Sequence, residues 1–101
     1  MRAVKVQYTV QPGFVQENKS NIGKVMDAIR ASPVPGMQYA SFVLADGVTF
    51  VHINMASNAD TMDKLNDVRE FQDFQAALKA SDPVSPPDVQ SLELVAAGFD
   101  L

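Results

Sequence analysis

The chain has 101 residues, 47% of them hydrophobic, with a formal net charge of −4. That is enough for one core in one domain spanning residues 1–101 and too little for a second. Lysines and arginines are interleaved among the acids without a basic run, which argues against nucleic acid or an anionic membrane as partner, and the absence of cysteine excludes disulfides and thiolate sites.

From the N-terminus, Val4, Val6, Tyr8 and Val10 alternate with Ala3, Lys5, Gln7 and Thr9, the period of a β-strand. No long apolar stretch precedes or follows, so neither a secretory signal nor a membrane span is expected. The mature chain is expected to begin near Met1 and to stay cytoplasmic. Pro12 and Gly13 end the strand, and from Phe14 the period becomes helical. Val15, Ile22, Val25, Met26 and Ile29 form the inner stripe, with Asn18 and Lys19 opposite or flanking it. Glu17 near the start and Arg30 near the end suit the helix dipole. Prolines at 33 and 35 stop the helix.

The segment Tyr39 to Met55, YASFVLADGVTFVHINM, predicts a β-hairpin around Asp46-Gly47, a pair suited to a two-residue type I′ turn. Such a turn sets the register. It places Tyr39, Ser41 and Val43 opposite Asn54, His52 and Phe50, with Ala40, Phe42 and Leu44 opposite Ile53, Val51 and Thr49 on the other face. The second face is almost wholly apolar, whereas the first mixes aromatics with a histidine, an amide and a hydroxyl.

Residues 56–62 read as a loop, and a second helix is expected near Asp67, whose pairing with Glu70 fits a capping box. Leu65 joins the packing from a preceding turn, and Val68, Phe71, Phe74, Gln75 and Leu78 form the inner stripe. A proline-rich connection leads to a last strand over Val89 to Phe99, with a bulge expected near Leu92 to Val95. The order β-α-β-β-α-β is that of an α+β, ferredoxin-like fold with one four-stranded antiparallel sheet and both helices on one face. Because neither face of the hairpin is polar enough to meet water, the uncovered face calls for a second copy across a two-fold axis.

The opening strand VKVQYTVQPGFVQEN, the hairpin YASFVLADGVTFVHI and the helix stretch EFQDFQAAL together resemble the dimeric α+β barrel superfamily, and within it the antibiotic biosynthesis monooxygenase-like domains. The resemblance covers nearly the whole chain. It implies a homodimer with facing sheets and a small pocket in each subunit. Activities in that superfamily include cofactor-independent oxidation of phenolic polyketides, haem degradation, isomerisation and dismutation. In the haem-degrading branch a helix histidine and a preceding tryptophan occupy the positions that read Gln75 and Leu65 here, so haem ligation of that type is not expected. The phenol-oxidising branch carries Asn and Trp where this chain reads His52 and Ala56, so that site does not transfer intact.

His52 is the one histidine, set mid-strand among apolar neighbours, and a pKa near neutrality would suit proton transfer. The competing reading is a buried imidazole satisfied by Ser41 or a backbone carbonyl. Tyr8, Tyr39, Ser41 and Asn54 are the candidate hydrogen-bonding contacts to a substrate, and Phe50, Phe71, Phe74 and Gln75 its candidate surroundings. Phe71 and Phe74 read equally as core. One histidine and scattered carboxylates make a poor metal set, with Asp60 and Asp63 read as solvated or capping residues. Neither a nucleophile elbow nor a glycine-rich phosphate loop occurs. The expectation is a small homodimer that acts without a tightly bound cofactor on an aromatic or polyketide-like molecule, with His52 as acid or base. The alternative is a non-catalytic homodimer that binds a small ligand or serves as an assembly module.

Overall fold

In the computed structural model, which describes residues 1–101, the alternating N-terminal segment forms β1 (Arg2–Thr9). β2 (Met37–Val43), β3 (Thr49–Ala56) and β4 (Ser85–Leu92) complete an antiparallel sheet in the order β2-β3-β1-β4. Tyr8, Val10 and Phe50 of the sheet side share a core with Val25 of α1 (Val15–Ala31) and with Phe71, Phe74 and Leu78 of α3 (Arg69–Ala80). Both long helices therefore pack on one face, as the ferredoxin-like reading requires. It is the chemically mixed face, carrying Tyr39, Ser41, His52 and Asn54, that looks toward the helices. The other is uncovered, with Phe42 57% and Leu44 44% exposed.

The hairpin has the expected register, Tyr39 opposite Asn54, Ser41 opposite His52 and Val43 opposite Phe50. Its turn is different. Leu44 donates its N–H to Thr49 O (2.8 Å) and Gly47 donates to Leu44 O (2.9 Å), leaving residues 45–48 as a four-residue loop. Only Gly47 has a positive φ there (76°), whereas type I′ geometry needs one at Asp46 too. The Asp46 carboxylate supplies the reason: it accepts from the N–H groups of Val48 (3.0 Å) and Thr49 (2.9 Å) and from the Thr49 hydroxyl (2.6 Å). Because the loop takes one more residue from each strand, the partner of every residue is unchanged.

Three further expectations are corrected. Residues 56–62 are not all loop: β3 runs to Ala56, and Asn58 then caps α2 (Ala59–Asp63) by accepting the Thr61 N–H at 2.8 Å. No Asp67–Glu70 capping box forms. Asp67 still belongs to a 3-10 turn (Lys64–Asp67), and Val68, in extended conformation (φ −77°, ψ 115°), is the residue that precedes α3, with no side-chain cap. The last strand begins at Ser85 and ends at Leu92, earlier than expected, and it includes Pro86 and Pro87. Prolines are tolerated because β4 is an edge strand. Its irregularity also lies there and not at 92–95: Gln7 pairs Asp88 and Thr9 pairs Ser85, so three steps on β4 match two on β1 across the prolines.

α1 differs in one residue that matters. Asn18, expected opposite or flanking, is completely buried, because it lies three residues after Val15 and four before Ile22 on the same stripe. No helix is long and apolar enough to cross a membrane.

Candidate active site

Strand alternation aims Phe50, His52 and Asn54 of β3 toward the helices, and the ladders set Val6 and Ser41 on either side of His52. Both ring nitrogens of His52 are engaged. Nε2 lies 2.7 Å from the Tyr8 hydroxyl, while Nδ1 lies 2.8 Å from the Tyr39 hydroxyl and 2.7 Å from the Ser41 hydroxyl. Asn18 donates its amide N–H to the Tyr8 oxygen at 2.9 Å. With that oxygen already accepting, the Tyr8 O–H points to Nε2 and the imidazole proton is assigned to Nδ1, from which it is donated toward Ser41 and Tyr39. Tyr8 stacks on Phe50 at 5.6 Å and on His52 at 5.3 Å, and Phe74 lies tilted against the imidazole at 5.4 Å.

The cluster is uncharged at neutral pH. Burial pushes the His52 imidazole down to about 4, well below the near-neutral value expected from the sequence, because its partners are neutral hydroxyls and no carboxylate supports the imidazolium. Burial pushes the Tyr8 phenol up to about 12 against the opposing pull of the Asn18 hydrogen bond. Tyr39 is raised as well, first by burial and then by neighbouring Tyr8.

Beside the cluster, between the sheet and α2, the 3-10 turn and α3, is a cavity of about 240 Å³. Of the residues singled out in the sequence, His52, Tyr8, Tyr39, Asn54, Phe71, Phe74 and Gln75 all line it. Ser41 and Phe50 are not on its wall: Ser41 touches the imidazole, and Phe50, 2% exposed, lies in the core against Tyr8. Leu65 and Gln75 are both on the wall. Asn18 was missed as a site residue, although a lone amide on an apolar helical stripe is a legible signal of a buried polar contact. Two buried amide oxygens have no hydrogen-bond partner, Oδ1 of Asn18 and Oδ1 of Asn54. No three His, Asp or Glu side chains gather in a way that would hold a metal ion.

No protein-family model and no curated protein matches the chain. Solved structures do match in fold. Rv0793 from Mycobacterium tuberculosis superimposes with a TM-score of 0.81 at 15% identity, over 97% of this chain and 98% of that one. NE2512, a protein of unknown function from Nitrosomonas europaea, gives 0.78 at 17% identity over 99% and 94%. SnoaB, a cofactor-independent oxygenase from Streptomyces nogalater, gives 0.73 at 16% identity over 96% and 95%. With other neighbours described as antibiotic biosynthesis monooxygenases or putative ones, these similarities show that almost the entire chain has the ferredoxin-like fold of antibiotic biosynthesis monooxygenase-like structures.

Proposed function

We propose that the protein is a homodimeric, monooxygenase-like enzyme that binds a small aromatic or polyketide-like molecule in this cavity and acts on it without a tightly bound cofactor. The observation that carries the reading is a neutral, buried Tyr39–His52–Tyr8 cluster on the wall of an apolar cavity. In this reading an acidic O–H or C–H bond of the ligand is broken by proton transfer to His52 at Nε2, the unprotonated nitrogen, relayed by the Tyr8 hydroxyl on the cavity wall. The electron-rich ligand anion then passes one electron to dioxygen, and the ligand radical and superoxide combine to form a C–O bond. The peroxide takes back the proton held by His52 and loses water as its O–O bond and the C–H bond at that carbon break, leaving a carbonyl. An imidazolium is disfavoured in so buried a place, and the ligand anion formed beside it offsets that cost. The likeness in fold to SnoaB supports the reaction class.

The test is oxygen uptake with hydroxylated one- and two-ring aromatics. Uptake by the parent, lost in His52→Ala while the assembly stays intact, is the expected result; full uptake in that variant sinks the mechanism. The second reading is a non-catalytic small-molecule-binding homodimer. It is favoured by the fact that both imidazole nitrogens already have protein partners, and saturable binding without oxygen uptake would establish it.

A further inference from the structure

Tyr8 and Tyr39 both meet the imidazole of His52, yet only one of them has somewhere to send a proton. The Tyr8 hydroxyl donates to the unprotonated Nε2 at 2.7 Å, whereas Tyr39 meets Nδ1, which carries the imidazole proton and is shared with Ser41. Loss of one electron makes a phenol a far stronger acid than any imidazolium. A tyrosine is therefore most easily oxidised where a base already accepts its hydrogen bond and the proton can cross as the electron leaves. Tyr8 has that base in line. After the proton has crossed, the Asn18 amide N–H, 2.9 Å away, still supports the phenoxyl oxygen. The ring is 2% exposed and lies nearly parallel to Phe50 (10°) and to His52 (25°), so a radical formed there is kept from solvent. Burial that bars a ligand from the oxygen does not bar an electron, which crosses van der Waals contacts, and Tyr8 lies at the cavity wall. No tryptophan or cysteine competes as donor, and these two are the only tyrosines.

We infer that Tyr8 is a redox-active tyrosine, which gives one electron to an organic radical in the cavity and, in the same step, its hydroxyl proton to Nε2 of His52. The oxidant rests on the proposed reading, in which dioxygen takes an electron from the bound ligand anion; the Tyr8–His52 pair does not. When superoxide leaves as the hydroperoxyl radical, with the proton held by His52, a ligand radical stays behind and Nε2 is unprotonated again. Tyr8 then reduces the ligand radical to the anion, and the products on the protein are a neutral phenoxyl radical and an imidazolium. A second superoxide resets the pair: it gives its electron to Tyr8, whose proton returns from Nε2, and leaves as dioxygen. Tyr39 takes no part, because the nitrogen it meets already holds a proton.

The experiment forms the radical without any ligand, by flash oxidation with a photoexcited ruthenium tris(bipyridine) complex and persulfate, and reads it by electron paramagnetic resonance in parent and Tyr39→Phe. His52 is the one histidine, so isotopically labelled histidine reports on it alone. Tyr39→Phe leaves Ser41 as partner of Nδ1 and makes Tyr8 the single phenol of the chain. A neutral tyrosyl radical with hyperfine coupling to the labelled imidazole is expected in the parent, and at the same yield in Tyr39→Phe. Its formation should slow by at least about twofold in deuterium oxide, because the proton moves with the electron. A signal lost or halved in Tyr39→Phe moves the electron wholly or partly to Tyr39 and overturns the inference. So does a radical without coupling to the imidazole, or no radical in the parent. The oxidant is tested apart, in samples frozen during oxygen uptake with hydroxylated aromatics: the same signal is expected, and uptake without it overturns the role of the ligand radical. Absence of uptake removes that oxidant together with the proposed function, while the flash experiment still decides the Tyr8 site.

Discussion

The Tyr8 hydroxyl lies 2.7 Å from Nε2 of His52, tying the two interior strands of the sheet together at the floor of the cavity. The contact crosses the ladder diagonally, because Tyr8 itself stands opposite Phe50 and Val6 stands opposite His52. It also ties α1 to the sheet, since Asn18 donates to the same hydroxyl. Tyr8→Phe keeps the ring and its stacking but leaves a buried imidazole nitrogen and a buried amide N–H without partners. Each such loss costs on the order of 1 to 3 kcal/mol, so the variant is expected to unfold at clearly lower denaturant concentration than the parent. Coincident unfolding curves would show that the hydroxyl is dispensable to the network.

The depressed pKa of His52 has a stability consequence with a definite sign. An unfolded histidine titrates near 6.5 and the folded one near 4, so between these values the unfolded chain binds more protons. The contribution of neutral His52 is thus fully present above about pH 6.5 and is lost as pH falls toward 4. With roughly 1.4 kcal/mol per unit, the loss amounts to about 3 kcal/mol. Carboxylates titrate in the lower part of this window, so the measurement is the difference in melting temperature between the parent and His52→Gln across pH 4 to 7. The difference should shift in favour of the variant as the solution is acidified. A constant difference would place the folded pKa close to its ordinary value.

The hairpin shows what the sequence carries and what it conceals. The alternation of large apolar and polar residues on both sides of Asp46-Gly47 is enough to set which residues oppose one another, because a slip by one residue would exchange the faces. The turn type was not legible, since it depends on a carboxylate that bonds Thr49 three residues on. The same limit applies to the site. Residues of one strand face could be grouped by period, which brought Tyr39, His52 and Asn54 together. Which face the helices cover depends on long-range packing, as does the reach of Asn18 to Tyr8. The strand β4 was misplaced because Pro86 and Pro87 read as a break, and only its edge position makes them acceptable.

Gly47 has φ of 76°, and a side chain there would meet no atom within 4 Å, so the cost of substitution is conformational and not steric crowding. Gly47→Val is expected to destabilise the fold by roughly 1 to 3 kcal/mol, since a β-branched residue strongly disfavours the left-handed region. Gly36, with φ of 79°, differs in that an added Cβ would run into the Ser57 side chain. Gly47→Asn, which tolerates positive φ, should recover most of the loss at position 47. Equal thermal unfolding of parent and Gly47→Val would contradict the turn geometry.

The uncovered sheet face bears most directly on assembly. Ala40, Phe42 and Leu44 oppose Ile53, Val51 and Thr49 on it, and neither long helix packs there. The hairpin half of this face is apolar and borders Lys5 and Gln7 of β1, and an exposed apolar patch of this kind marks an interaction surface. We expect a second copy to cover it, burying on the order of 2,000 Å² as obligate homodimers do. Phe42, 57% exposed and paired with Val51, is the residue to change. Phe42→Glu places a charge at the centre of the expected interface without touching the His52 cluster on the opposite face. Sedimentation should show a dimer for the parent at micromolar concentration and a monomer or a markedly weaker dimer for the variant. Melting temperature should rise with protein concentration for the parent, as linkage between folding and association requires. A parent that sediments as a well-folded monomer, with a melting temperature independent of concentration, would show that this face meets solvent, and the homodimer reading would fall.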